Sequence, residues 1–164
     1  MEAGEENQLA NDQFAQFLLQ MDPQEVDQKV QALNSEIAPK IDCTACGNCC
    51  KTLLININEK EADALSKHLD QPREIFDKNY LEKGMNGALL ISAVPCHFLQ
   101  DNKCTVYDFR FEGCKEFPAM HLPHFNKRLF TTFMHYNRCP IIFNIVEQLK
   151  IETQFVLEPK SETL

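Results

Sequence analysis

Residues 43–50 read Cys-Thr-Ala-Cys-Gly-Asn-Cys-Cys, which we call the cysteine motif. Its first three cysteines are separated by two residues each. A two-residue spacer lets a tight turn direct both sulfurs at one point, as metal–thiolate knuckles require. Gly47 can adopt the positive φ that such a turn needs without steric cost. The motif therefore predicts a metal or metal–sulfur centre, with Cys43, Cys46 and Cys49 as its first ligands.

Composition and charge restrict the partners and the compartment. The chain has 164 residues, a formal charge of −8 and no segment rich in Lys and Arg. These features argue against nucleic acid or an anionic membrane as the main partner. No apolar stretch approaches the roughly 18 residues of a spanning helix, and the acidic N-terminus lacks the apolar region of a signal peptide. We therefore expect a cytoplasmic protein with no nucleic-acid partner and no membrane association.

The compartment decides how the eight cysteines are interpreted. An even number would allow four disulfides, but disulfide frameworks belong mostly to short secreted chains. Cytosolic thiols are kept reduced. Metal binding is therefore favoured over disulfides and over redox-active thiols.

The other four cysteines are dispersed, with seven, nine and twenty-four residues between successive members. Such spacings form no local chelate, so only the fold could bring these sulfurs together. Four clustered and four dispersed thiolates would allow two tetrahedral Cys₄ sites or one polynuclear centre. The predicted metal ligands are Cys43, Cys46, Cys49, Cys50, Cys96, Cys104, Cys114 and Cys139.

The adjacent pair Cys49-Cys50 bears on how the ligands divide. In an extended backbone neighbouring side chains point to opposite faces, so the two thiolates would serve different metal ions or different edges of a cluster. The alternative for any single dispersed cysteine is a buried, non-ligating thiol.

The metal itself is left open between zinc and iron. Cys-x-x-Cys-Gly is common in structural zinc sites, whereas Cys-x-x-Cys-x-x-Cys with a remote Cys139-Pro140 is similar to a spread-out ferredoxin ligand set. His97 and His135 are alternative ligands, because each lies close to a cysteine in sequence. The cysteine spacing alone thus leaves both an iron–sulfur cluster and a simple zinc site as predictions.

Positive side chains near the dispersed cysteines could offset the charge of the centre. Eight thiolates with two divalent ions would leave a net charge of about −4, which neighbouring donors and cations must balance. The candidates are Arg110, Lys115 and Lys103. Solvated surface charge is the alternative for Lys103 and Lys115.

The predicted fold class is α+β: a small, loop-rich cysteine-cluster domain with short strands and several helices, preceded by an N-terminal helical arm. Apolar periodicity predicts helices at residues 10–21, 23–36, 58–68, 71–84 and 141–151. Asp22 with Pro23, Asn58 with Glu61 in a capping box, and Pro140 are the predicted start signals of the second, third and last of these helices. Runs rich in β-branched or alternating apolar residues predict strands at residues 53–57, 88–92 and 128–136. The predicted segments are an arm at 1–40, a metal-binding domain at 41–152 and a flexible tail at 153–164.

The combined motifs resemble the YkgJ family of cysteine-cluster proteins over residues 42–140. The resemblance is carried by Cys43-x-x-Cys46-x-x-Cys49-Cys50, Cys96-His97-Phe98-Leu99, Cys104-Thr105-Val106-Tyr107 and Arg110-Phe111-x-x-Cys114-Lys115-x-Phe117-Pro118. It implies a zinc- or iron-chelating domain, and a similar cysteine region occurs in flagellin lysine N-methylases. Phe111 replaces the family's usual Pro and Lys115 its frequent Arg, but neither change removes a sulfur.

The predicted function is therefore a metal-binding protein that holds zinc or an iron–sulfur cluster. The alternatives are an iron–sulfur enzyme or accessory subunit for electron transfer or protein modification, and a metal chaperone or store. A non-catalytic role is favoured, because the sequence has no Gly-rich phosphate loop, no Gly-x-Ser-x-Gly elbow and no His-Glu-x-x-His helix. No catalytic residue is predicted.

Overall fold

The computed structural model describes residues 2–158, which fold into two compact units. Among the described residues, the helical unit comprises 2–41 and 118–158, and the cysteine unit comprises Asp42–Phe117. The domain boundaries predicted at residues 40, 41, 152 and 153 stay a prediction, and residues 159–164 of the predicted tail lie outside the described residues. Between residues 2 and 158, no helix has the length and apolarity needed to cross a membrane.

The structure is α+β, as predicted, with short strands and several helices. In chain order the helices are α1 (Glu2–Gln20), α2 (Pro23–Ile37), α3 (Cys43–Cys46), α4 (Asn48–Thr52), α5 (Glu59–His68), α6 (Arg73–Tyr80), α7 (Glu112–Glu116), α8 (Leu129–Met134) and α9 (Pro140–Glu152). The strands are β1 (Asn56–Ile57), β2 (Leu81–Lys83), β3 (Leu89–Ile91), β4 (Leu99–Gln100) and β5 (Lys103–Cys104). Short 3₁₀ turns occupy Ala38–Lys40, Tyr107–Phe109 and Phe125–Arg128.

The N-terminal helices confirm the predicted break at Asp22. The Asp22 side chain accepts hydrogen bonds from the backbone N–H groups of Gln24 and Glu25, and Pro23 occupies the first turn of α2. This arrangement satisfies N–H groups that have no partner within the helix. Helix α1 begins at Glu2 rather than at the predicted residue 10.

Helix α9 begins at Pro140, as predicted, and presents an apolar face to the interior. Its buried residues are Ile141, Ile142, Ile145, Val146 and Leu149. Proline suits the first helical position because its missing N–H has no partner there in any case.

The prediction of a strand at residues 128–136 was wrong, because this segment is helical. A 3₁₀ turn leads into α8, and the buried residues Phe125, Leu129, Thr132 and Tyr136 fall at helical spacing. Phe130, between them in sequence, is 82% exposed. Short apolar runs fit a strand and a helix almost equally well, which explains the error.

The cysteine unit contains a three-stranded antiparallel sheet in the order β1–β3–β2. Asn56 pairs with Leu90, and Leu81 pairs with Ile91. The predicted strands at 53–57 and 88–92 are confirmed in shorter form. The sheet and helices α5 and α6 enclose a core of Ile57, Ala62, Leu65, Phe76, Leu81, Leu89, Ile91, Phe98, Val106 and Phe111.

Helix α5 begins with the capping box that its sequence predicts. The Asn58 side chain accepts from the Glu61 N–H at 3.0 Å, and the Glu61 carboxylate accepts from the Asn58 N–H at 2.9 Å. Reciprocal bonds of this kind fix the first turn of a helix. Helix α6 is shorter than predicted, because Leu81 leaves the helix and starts β2.

Candidate metal centre

The cysteine motif folds into two short helical turns joined at Gly47. Gly47 has φ +63°, ends α3 and precedes α4. The Asp42 carboxylate caps α3, accepting from the Thr44 N–H at 2.9 Å and from the Thr44 hydroxyl at 2.6 Å. These bonds lower the pKa of Asp42. The turn around Gly47 therefore has the positive φ that the sequence allowed for at this glycine.

A β-hairpin closes over this turn and brings Cys104 into the same unit. Strands β4 and β5 pair Leu99 with Cys104, and β5 contacts α3. The backbone of Asn102, at the hairpin tip, lies so close to Gly47 that a Cβ on Gly47 would be 2.8 Å from the Asn102 carbonyl oxygen. Only glycine permits this approach, which is a second reason for its place in the motif.

The Cys49 and Cys50 sulfurs lie 3.9 Å apart. Both residues belong to α4, so the extended backbone assumed in the sequence argument is absent here. Four sulfurs at the usual Zn–S distance of about 2.3 Å form a tetrahedron with an S···S edge of about 3.8 Å. The observed separation therefore fits two ligands of one ion.

Three dispersed cysteines lie at the edge of the apolar core. Cys96, Cys104 and Cys114 are partly buried and pack against it. The Cys96 N–H donates to the Cys50 carbonyl at 2.8 Å, which ties its loop to the cysteine motif. Cys114 lies in α7. Seven of the eight predicted ligands thus belong to the cysteine unit.

The thiols affect one another's pKa values through hydrogen bonding and electrostatic repulsion. The hydrogen bond between the Cys49 and Cys50 thiols lowers the pKa of Cys49 to about 6 and raises that of Cys50. Partial desolvation, with added repulsion from neighbouring thiolates, raises the pKa of Cys43, although this residue is still exposed. The same two causes raise the pKa of the half-buried Cys96, and that of Cys114 to about 12. Like charges in a shared site disfavour joint ionisation. A bound cation would reverse this preference, since metal ligands are deprotonated thiolates.

Arg110 is placed to offset part of that charge. Its positive charge acts to lower the pKa of Cys43, Cys49 and Cys114, although burial and other contacts contribute more. The guanidinium lies 3.8 Å from the centre of the Tyr107 ring. Lys115, by contrast, is 3.7 Å from the Glu112 carboxylate.

Cys139 belongs to the helical unit and not to the cysteine unit. It is 8% exposed and precedes Pro140 at the start of α9. Its N–H donates to the carbonyl of His135, which lies in the same unit. The roles of Cys139 and His135 as metal ligands stay predictions.

His97, the other alternative ligand, is engaged in packing. Its Nε2 lies 2.9 Å from the Ser92 hydroxyl, and its ring meets Tyr80 edge-on at 5.3 Å between centroids. These contacts give the ring a structural role beside Cys96.

Thiolate ligands suit both zinc and iron. The separation of the Cys49 and Cys50 sulfurs also suits two ligands of one ion. Within residues 2–158, no three Cys, His, Asp or Glu side chains are yet arranged to hold a metal ion. Thiolates are ligands that both metals accept. The structure therefore presents a set of protonatable thiols in one unit, with Cys49 and Cys50 at ligand separation.

Sequence reasoning missed the hairpin that carries Cys104. Its turn residues Asp101 and Asn102 have φ +49° and +64°. Two successive positive φ values are typical of type I′ hairpin turns, which favour Asn and Asp. The Asp101-Asn102 pair, which begins three residues after Phe98, was thus an available signal.

A family model described as "CxxCxxCC: Putative zinc- or iron-chelating domain" matches residues 42–140. The chain belongs to this family. The match confirms the resemblance noted from the sequence, and it spans every cysteine of the chain. No curated protein and no solved structure matches the chain.

Proposed function

We propose that the cysteine unit binds zinc or iron through thiolates of Cys43, Cys46, Cys49, Cys50, Cys96, Cys104 and Cys114. The observation that carries this proposal is the concentration of these seven thiols in one compact unit, with the Cys49 and Cys50 sulfurs 3.9 Å apart. Membership of a family described as zinc- or iron-chelating supports it. The biochemical role is that of a metal-binding protein, and no catalytic residue is proposed.

Each part of the unit contributes to metal binding in a different way. The turns of the cysteine motif hold Cys49 and Cys50 at ligand separation. The hairpin and the loop of Cys96 bring further thiols to the same unit, and Arg110 offsets negative charge. A bound metal would supply the positive charge that allows these thiols to ionise together.

Anaerobic purification followed by elemental analysis and a visible spectrum tests the proposal. Stoichiometric metal in the purified protein is the expected result. A colourless protein with zinc would identify a zinc site, whereas a coloured protein with iron and acid-labile sulfide would identify an iron–sulfur cluster. Protein that contains neither metal and takes up neither from solution would contradict the proposal.

A metal chaperone or store is the second candidate, because Cys43 is exposed. A ligand at the surface can be reached by the thiol of a partner or by a chelator, whereas a structural zinc site is closed. In a chaperone, metal would transfer to a chelator within minutes without unfolding. Metal that leaves only when the protein unfolds would exclude this role.

A further inference from the structure

Glu61 makes two hydrogen bonds that lead to different parts of the cysteine unit. Its Oε2 accepts from the Asn58 N–H at 2.9 Å, within the capping box of α5. Its Oε1 accepts from the Glu112 N–H at 2.6 Å, across 51 positions of the chain. One carboxylate therefore joins the start of α5 to the start of α7.

Helix α7 has no cap from its own N-cap residue. Phe111 occupies that position, makes no side-chain capping bond and is 4% exposed as part of the apolar core. The first N–H groups of a helix need an acceptor from outside it, and a carboxylate is favoured at that end. Glu61 thus supplies from α5 the cap that the sequence of α7 lacks.

Helix α7 is also fixed by a close contact at Gly113. A Cβ on Gly113 would lie 3.3 Å from Cγ2 of Ile55, which precedes β1. The next residue is Cys114, whose N–H donates to the Phe111 carbonyl at 2.9 Å. Cys114 is therefore placed by Ile55 and Glu61, both in the segment that follows the cysteine motif.

We propose that Glu61 is a positioning residue of the metal centre, holding α7 so that the Cys114 thiolate is available as a ligand. This inference rests on the proposed function, because it takes Cys114 as a ligand. Groups that orient metal ligands typically change metal affinity by about 10- to 100-fold when they are removed. Glu61 itself does not contact the metal in this proposal.

Two substitutions in the 164-residue chain separate this role from helix capping. Glu61→Ala removes both bonds of the carboxylate. Asn58→Ala removes the other half of the same capping box but leaves the bond to Glu112. We expect Glu61→Ala to lower metal affinity by about ten-fold or more, measured by competition with a chelator. Asn58→Ala should lower the melting temperature while its metal affinity stays close to wild type.

Alkylation of the metal-free protein, followed residue by residue by mass spectrometry, gives a second readout. Release of α7 should speed modification of Cys114 in Glu61→Ala and leave the rate at Cys46 unchanged. Because this measurement needs no metal, it tests whether Glu61 holds Cys114 in place separately from the proposed function. Glu61→Gln, which keeps one oxygen acceptor, serves if Glu61→Ala does not fold, and a smaller increase is expected.

Two results would overturn the proposal. One is a wild-type rate of Cys114 alkylation in the Glu61 variant. The other is an equal loss of metal affinity in the Glu61 and Asn58 variants, since this would show that Glu61 acts only through the capping box of α5.

Discussion

The helical unit and the cysteine unit are stabilised in different ways. The helical unit relies on apolar burial: Phe14, Leu18, Val30, Ile145 and Leu149 are all buried on helices with matching periodicity. The cysteine unit also has an apolar core, but α3 and α4 span only four and five residues. Isolated helices of that length are not stable, so their geometry depends on caps, the hairpin and, in our proposal, metal.

The difference means that metal should act on the two units unequally. Structural metal sites contribute directly to folding free energy, whereas an apolar core does so without a ligand. The predictions that follow test this asymmetry, beginning with the largest expected effect.

Metal removal should loosen the cysteine motif and leave the helical unit folded. Structural zinc binding contributes an apparent 10–16 kcal/mol or so in small zinc peptides, and a unit with its own core should depend on it less. Hydrogen exchange of the full chain with and without chelator measures this by segment. We expect protection to fall at residues 43–52 and 96–114 and to persist in α2 and α9. Equal loss in both units would show that the asymmetry is absent.

Ile145→Ala should destabilise the helical unit without changing metal content. Ile145 is fully buried, and such truncations cost about 2–5 kcal/mol through lost burial and the cavity that remains. Urea unfolding gives the free energy of unfolding, and elemental analysis gives the metal. Loss of metal in this variant at temperatures where it remains folded would contradict separate stabilisation.

Gly47→Ala should weaken the cysteine unit more than Gly87→Ala does. Both glycines have positive φ, at +63° and +77°, so both substitutions carry backbone strain of about 1–3 kcal/mol. Only at Gly47 would the new Cβ meet another atom within 3.0 Å, whereas nothing lies within 4 Å at Gly87. Thermal unfolding and metal affinity of the pair measure the difference. Equal effects would mean that the approach of Asn102 does not matter.

A pH effect should appear in the helical unit from the group formed by Tyr136, Glu147 and Lys150. The Tyr136 hydroxyl and the Lys150 ammonium each donate to Glu147 at 2.7 Å. Burial raises the pKa of Glu147, but these two bonds outweigh it and hold the pKa below 4.5. Burial and the bond to Glu147 raise the pKa of Tyr136 above 10.0.

The two shifts set opposite limits of pH. The Glu147 contribution is present above its unfolded pKa and is lost as pH falls through the lowered folded pKa. The Tyr136 contribution is present below its unfolded pKa and is lost as pH rises through the raised folded pKa. Urea midpoints of wild type and Glu147→Gln across pH should therefore converge in acid. A constant difference down to pH 2 would contradict the assigned pKa direction.

Sequence patterns predicted the helices best where capping residues and apolar periodicity agreed. Asp22 with Pro23, Asn58 with Glu61, and Pro140 each mark a helix start that the structure confirms. The segment 128–136 failed, because nine residues of mixed pattern do not separate helix from strand.

The sequence located the candidate cysteines but not their local geometry. The cysteine spacing identified the motif, and the family match covers all the predicted cysteines. The 3.9 Å approach of Cys49 and Cys50 required the helical backbone of α4. The bond from Glu61 to Glu112 joins residues 51 positions apart, which no local pattern encodes.

Metal titration of wild type and Cys46→Ala, each prepared metal-free and reduced, tests the central claim most directly. Cys46 lies in the cysteine motif and ends α3, so its loss removes a proposed ligand that belongs to the cysteine unit. Our account predicts stoichiometric, tight binding of zinc or iron by the wild type. It predicts binding weaker by about ten-fold or more in the variant, with the helices of the helical unit intact by hydrogen exchange. Equal affinity and stoichiometry in the two proteins would contradict it.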